Sequence, residues 1–447
     1  MAASPLLRHQ YDETALPPCG DPTLAAAELL ESGLFDTYVL YERGGQLSLA
    51  LGTAAEITVD RAEVVLHTPE TRRAVPWFAE PLDHVAELLE SLAAMPWRAY
   101  GWVGFELAYA YAGLADLMGD ETLLHLIVPQ VEVRWYDDSV VVRGTDPATC
   151  RPVCEVLATP PVPRTYRPSP HDVEQDSVED YRNAVAAAVR EISDRQLQKV
   201  ILSRIVPVDY SVDLVGSYIV GRRHNTPSRS FLLNVGGMQA AGFSPEVVAA
   251  VDSAGRVCTY PLAGTRALSG SHEEDRQLGI DLLSDSKEIF EHSIAVKAAW
   301  DELAALCESG SVTVEDFMTI KRRGTVQHLA SSVSGRLLAG QGPWQAFAAL
   351  FPGVTACGFP KKAAYASIRR HESSPRGLYS GAVLTVDHTG AMDAALVLRT
   401  IFHQHGRTWL RAGAGIVEQS QPDREFEETC EKLRSVALHL VAAESRR

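Results

Sequence analysis

Glu425, Glu428 and Lys432 follow Pro422 at intervals of three and four residues, so on a helix their side chains leave one face together. A second carboxylate pair, Glu288 and Glu291, repeats the three-residue spacing just after Asp285. Two helices that each offer carboxylates from their first turns could supply the hard oxygen ligands Mg²⁺ favours, with waters or substrate oxygens completing six. Either pair taken alone reads equally well as a solvated acidic helix start, which the helix dipole favours. Histidine and cysteine do not cluster, which argues against zinc or iron. His403 and His405 alternate on one strand with no carboxylate beside them and read as an exposed pair. Gly413 and Gly415 end an apolar run, where backbone amides can face a carboxylate. No complete dinucleotide fingerprint, phosphate loop or nucleophile elbow accompanies them.

The elements that must position these residues follow from periodicity. From Pro422, which suits a first helical turn, Phe426, Cys430, Leu433, Ala437 and Leu440 form a core-facing stripe. Asp285 to about Glu308 is predicted as a long helix with Ile289, Val296, Trp300 and Leu303 on its apolar face. Ser177-Val-Glu-Asp180 resembles a capping box and opens a helix bearing Val178, Tyr181, Val185, Val189 and Ile192. The strand starting at Lys199 follows, so Lys199 sits at a helix-to-strand junction. Further strands are predicted at 230–235, 247–251, 326–329, 381–386, 394–401 and 409–412. In the first 150 residues, Tyr38–Tyr41, Gly44-Gly45 and Gln46–Leu51 make a hairpin candidate, and Val131–Val142 repeats the pattern. Leu82–Ala94 is predicted as a helix. The aromatics and glycines of 100–106 read as core packing, and nothing in this half converges on chemistry. Six prolines between 152 and 170 suggest a linker, giving a strand-rich unit at 1–150, a linker at 151–176 and a catalytic region at 177–447. Many short strands beside segregated helices predict an α+β layered fold of mainly antiparallel sheets flanked by helices.

Composition narrows the function classes. The 447-residue chain carries a net charge of −16, which disfavours nucleic acid as the main partner. An anionic ligand would need cations supplied locally against that field. Met1–Pro5 opens no apolar leader and no run approaches membrane-spanning length. The seven cysteines are scattered without a Cys-x-x-Cys pair. A cytoplasmic protein that binds neither membrane nor nucleic acid is expected.

Five segments read together resemble the chorismate-utilising enzymes: Gln198-Lys-Val-Ile-Leu-Ser-Arg204, Gly242-Phe-Ser-Pro-Glu246, Pro261-Leu-Ala-Gly-Thr-Arg266, Ser286-Lys-Glu-Ile-Phe-Glu-His292 and the Arg411–Lys432 stretch. Within that family, Phe317–His328 and Arg376-Gly-Leu-Tyr-Ser-Gly-Ala382 are most similar to the salicylate synthases of siderophore pathways, the mycobactin and yersiniabactin types. Gly101-Trp-Val-Gly-Phe-Glu-Leu107 extends a weaker resemblance into the first half. The resemblance implies the chorismate-binding fold and a reaction in two stages: chorismate to isochorismate, then salicylate plus pyruvate.

It also implies roles. Lys199 matches the base that activates water, a task requiring its pKa to be depressed by desolvation or neighbouring cations. Glu246 matches the acid that releases the C4 hydroxyl and needs a raised pKa. His328 matches a histidine beside the ring that orients groups. Tyr379 and Arg399 match the residues that bind the enolpyruvyl carboxylate. Gly264, Thr265, Thr355, Leu398, Gly413 and Lys432 match further substrate contacts. Glu291 and Glu428 match direct Mg²⁺ ligands, with Glu288 and Glu425 acting through water. A monomer is expected; no glutaminase partner is expected either, because the aminating relatives that need one lack a lysine at the position of Lys199. The aminodeoxychorismate type also has lysine where this chain has Ala263. An isochorismate synthase without lyase activity would share Lys199, Glu246 and the glutamates; an inactive chorismate-binding scaffold is the reading from outside the enzymes.

Overall fold

Two consecutive glycines turn the first hairpin where the sequence places it. Gly44 and Gly45 take φ of 58° and 86°, the left-handed pair that a two-residue hairpin turn needs. They join Tyr38–Arg43 to Gln46–Leu51 with Arg43 opposite Gln46. The computed structural model describes residues 11–92, 96–324 and 326–443. Met1–Pro5, Ala94 at the end of an expected helix, and Thr325 fall outside them.

The strands form two antiparallel sheets of eleven and twelve strands, with helices packed around them. Each sheet takes strands from both sides of the proline-rich stretch. In the first, Tyr38–Arg43 pairs with Arg229–Val235; in the second, Arg98–Val103 pairs with Ala382–Asp387. The segments 1–150 and 177–447 therefore share both sheets. The proline-rich stretch itself begins helically, because Pro147–Leu157 is a helix with Pro152 inside it. Asp146 caps that helix through Thr149 N.

Two of the chain's passages between the sheets lie side by side. Met238–Ser244 lies in the first sheet and Val247–Val251 in the second, so Pro245 and Glu246 form a crossover. The predicted strand 394–401 is likewise two strands, Met392–Leu396 in the second sheet and Thr400–Gln404 in the first. Between them Arg399 adopts φ of 50°, a left-handed conformation that interrupts any strand. Ser244 Oγ donates to Leu396 O at 2.5 Å and ties the two crossovers together.

Two helices close the site. Pro422–Ala437 buries Phe426, Cys430, Leu433 and Ala437 as their spacing predicts. Phe426 docks this helix: its ring lies beside Tyr181 and under the Arg204 guanidinium, 4.5 Å from the ring centre. Burying such a side chain contributes about 2 kcal/mol. Ser286–Ala304 is capped by Asp285, whose carboxylate accepts from Lys287 N and Glu288 N. Its buried stripe overlaps the predicted one only at Val296 and Leu303. Glu288, His292, Ala295, Val296, Ala299 and Leu303 face inward, while Trp300 is 43% exposed. The helix lies over a polar cavity, so a stripe chosen by hydrophobicity is rotated from the true one. Ser177 stands at the N-cap of Val178–Ser193 but makes no side-chain cap bond, so the capping box does not form. Among the described residues no helix is long and apolar enough to cross a membrane.

Candidate active site

The crossovers, the strands Lys199–Val208 and Arg407–Ile416, and the first turns of the two helices enclose one cavity of about 960 Å³, its mouth included. Its wall contains Glu246, Gly264, Thr265, Glu288, Glu291, His328, Thr355, Tyr379, Leu398, Arg399, Gly413, Glu428 and Lys432. Of the residues singled out from sequence, Lys199 and Glu425 lie just behind it, both buried. No described residue of the first 150 lines the cavity.

Backbone shape brings these side chains together. Gly264 has φ of 83° at an irregularity in the pairing of Leu262–Ala267 with Val326–Arg336. Glu288 packs against the bend, and a Cβ on Gly264 would stand 3.1 Å from Glu288 Oε2. Gly415 is more demanding: a Cβ there would stand 2.5 Å from Glu291 Oε1 and 3.2 Å from Lys199 Cε. These glycines admit side chains as well as presenting amides.

Glu246 is buried, and Thr355 Oγ1 donates to its Oε1 at 2.6 Å. Burial pushes its carboxyl from the ordinary 4.5 up to about 8, with the Thr355 bond and the nearby Lys199 ammonium pulling the other way. It therefore carries a proton at neutral pH, as a general acid must. Lys199 Nζ lies 2.6 Å from Glu291 Oε1, in poor alignment for a hydrogen bond. The expected desolvation is present, since Lys199 is fully buried, while the charge beside it is a carboxylate and not a cation.

On the opposite wall, Arg399 Nη2 donates to His328 Nε2 at 2.8 Å. Arginine only donates, so the His328 proton sits on Nδ1, facing Thr265 Oγ1 at 3.0 Å. Burial and then the Arg399 charge hold the His328 pKa well below its ordinary value, leaving a neutral ring that orients its neighbours. Burial and the charge of Arg323 lower Arg399 to about 10. Among the described residues no carboxylate pairs with Arg399. A half-buried guanidinium without a counter-ion is a site for an anion.

The four glutamates gather but do not form a ready metal cradle. Among the described residues no group of three His, Cys, Asp or Glu converges to hold an ion. Each carboxylate instead meets a cation of the chain: Glu291 meets Lys199 at 2.6 Å, Glu425 meets Lys287 at 3.2 Å, Glu428 meets Lys432 at 2.8 Å and Glu288 meets Arg266 at 3.0 Å. Two features still point to a missing positive charge. Glu425 Oε2 is buried with no partner. Glu288 is raised by burial and by Glu291, and Glu425 by burial and by Glu428. The donor set fits a hard divalent cation in its chemistry, not in its present arrangement. Sequence reasoning missed Lys287 and Arg266 as partners, although both lie inside the segments it singled out.

A cavity that gathers carboxylates, lysines and an unpaired arginine between two antiparallel sheets defines an enzyme site for a small polyanion. The chain belongs to the chorismate binding enzyme family, whose model matches residues 36–438. It is 44% identical to the salicylate synthase of Mycolicibacterium paratuberculosis over 426 residues, 94% of each chain. It is 31% identical to anthranilate synthase component 1 of Mycolicibacterium smegmatis, covering 88% of this chain and 82% of that one. Among solved structures, anthranilate synthase component I of Streptococcus pneumoniae superposes with a TM-score of 0.73 at 26% identity, covering 90% and 92% of the two chains. The menaquinone-specific isochorismate synthase of Escherichia coli shares the fold, with a TM-score of 0.73 at 20% identity and coverage of 96% and 95%.

Proposed function

We propose that this protein is a Mg²⁺-dependent salicylate synthase that converts chorismate to isochorismate and then to salicylate and pyruvate. The observation that carries the reading is Glu246, a carboxyl held up to about 8 in a cavity with the buried amine of Lys199 just behind its wall. Isomerisation needs a base and an acid on one ring, and these two groups supply the pair. Lys199 takes a proton from the water that attacks C2, and Glu246 gives its proton to the C4 hydroxyl as it leaves. As a base Lys199 must be unprotonated when the water attacks.

The Arg399 guanidinium, which lacks a carboxylate of its own, suits the enolpyruvyl carboxylate, and Tyr379 stands beside that position on the wall. Gly264, Thr265, Thr355, Leu398, Gly413 and Lys432 complete the surface around the ring. Neutral His328 holds Arg399 and Thr265 in place. Glu291 and Glu428, backed by Glu288 and Glu425, would hold Mg²⁺, which neutralises the ring carboxylate. Water as nucleophile removes the need for an ammonia-supplying glutaminase partner. The second stage moves hydrogen from C2 to the departing enolpyruvyl group, so the protein's main contribution there is to hold that group over the ring. The likeness to a salicylate synthase along most of both chains supports the complete sequence.

Incubation of the purified protein with chorismate, in Mg²⁺ and in EDTA, tests the reading. Salicylate and pyruvate in equal amounts are expected with Mg²⁺ and not with EDTA. Isochorismate accumulating without salicylate would reduce the protein to an isomerase, and no turnover would make it a binding scaffold.

A further inference from the structure

Glu106 is a buried carboxylate that pairs with no cation among the described residues. Burying a charge without an ion pair is costly unless fixed donors satisfy it. Both of its oxygens are used on one short turn of the catalytic half. Oε1 accepts from Arg376 N at 2.6 Å, and Oε2 accepts from Gly377 N at 3.0 Å. Phe105 N donates to Gly377 O at 2.8 Å and completes the clamp.

The clamped turn carries Tyr379, whose N–H donates back to Arg376 O at 3.1 Å. The Arg376 side chain is committed elsewhere. It donates to Ile201 O and to Ala356 O, both at 2.7 Å, and to the Glu372 carboxylate. Ile201 lies two residues from Lys199, and Ala356 adjoins Thr355, the partner of Glu246. Arg376 thus fastens the Tyr379 turn to the elements of both the base and the acid. Its guanidinium also lies 5.7 Å from the centre of the Tyr379 ring. With the arginine side chain committed to those bonds, the Glu106 carboxylate and Phe105 N hold the turn's backbone.

We propose that Glu106 is a positioning residue for the lyase stage: by clamping the Arg376–Gly377 turn, it keeps Tyr379 where the enolpyruvyl group is held over the ring. The inference rests on the salicylate synthase reading. In that stage the C2 hydrogen passes to the enolpyruvyl methylene carbon and the C3–O bond breaks. The ring becomes aromatic and pyruvate departs, with no other reactant. Because the step depends on orientation alone, a turn displaced by a fraction of an ångström weakens it more than it weakens isomerisation, which runs at Lys199 and Glu246.

The test is the partition between free isochorismate and salicylate in the full-length Glu106→Gln protein supplied with chorismate and Mg²⁺. Glutamine keeps one acceptor oxygen and sets an N–H against the other backbone donor. The share of product leaving as isochorismate is expected to rise about tenfold or more, with chorismate consumption within about threefold of the original protein. Glu106→Asp, which keeps both oxygens, is expected to recover part of the partition. Parallel loss of chorismate consumption and salicylate at unchanged partition would show a purely structural role and overturn the proposal, as would no change at all. If Glu106→Gln does not fold, Glu106→Asp alone carries the comparison: an isochorismate share above that of the original protein is expected, and an unchanged share overturns the proposal. An original protein that makes no salicylate would sink the functional reading itself, and the proposal with it.

Discussion

Replacing Glu246 with glutamine should abolish activity and stabilise the protein, with a stabilisation that grows with pH. The carboxyl ionises at about 8 in the folded chain instead of its ordinary 4.5, chiefly because it is buried. Between those values the folded state holds a proton that the unfolded state has released. Stability therefore falls as pH rises from 4.5 and levels off above 8. The difference of about 3.5 units, at 1.36 kcal/mol each, bounds the total loss at about 5 kcal/mol, of which about 3 kcal/mol is already lost at pH 7. Glutamine is neutral throughout, and its Oε1 can still accept from Thr355 Oγ1, so the variant escapes the loss. Urea unfolding of both proteins at pH 5, 7 and 9 measures it. The gap should widen by about 2.5 kcal/mol from pH 5 to 7 and by about 1.4 kcal/mol from pH 7 to 9. Isomerisation should meanwhile fall about 10²–10⁴-fold without its acid, and activity of the original protein should decline above pH 8. A stability gap that stays constant across that range would refute the claim that Glu246 is buried as the protonated acid.

Two further substitutions probe the pairing of Lys199 with Glu291. Lys199→Ala removes the proposed base and the partner of Glu291 at 2.6 Å; isochorismate formation should drop at least about 10²-fold in a protein whose circular dichroism shows it folded, and undiminished turnover would sink the base assignment. Gly415→Ala places a methyl 2.5 Å from Glu291 Oε1, the mobile end of a side chain, so the strand should hold while the carboxylate shifts. The apparent Mg²⁺ affinity, read by calorimetry, should then weaken about tenfold with little change in melting temperature, and an unchanged affinity would show that Glu291 takes no part in holding the ion.

What sequence reveals here, and what it conceals, follows from the range of the forces involved. The Gly44-Gly45 hairpin and the Phe426–Ala437 stripe depend on neighbours within a few positions, so period and turn chemistry disclose them. The Ser286–Ala304 helix misleads because hydrophobicity measures contact with an apolar core, and this helix faces a polar cavity. Its inward residues include Glu288 and His292, while Trp300 is turned out. The strand expected over 394–401 fails for a related reason. Val397 and Leu398 are as apolar as any strand requires, yet after Val397 has bonded Gly381 and Ser380 the left-handed backbone at Arg399 turns the chain into the opposite sheet. Arg399 pays for that crossing with a left-handed backbone that costs about 1–3 kcal/mol in a residue other than glycine. Ser380 beside it, at φ of 59°, has a buried hydroxyl without a partner. Such departures from local rules gather where side chains must be aimed at a substrate. Glu106 shows the same limit from a distance. Its segment reads as aromatic core, and its purpose emerges only when a turn 270 residues away comes to rest on its carboxylate. The residue types of a site can be legible one by one while the contacts that aim them stay hidden, because those contacts join segments that no local pattern connects.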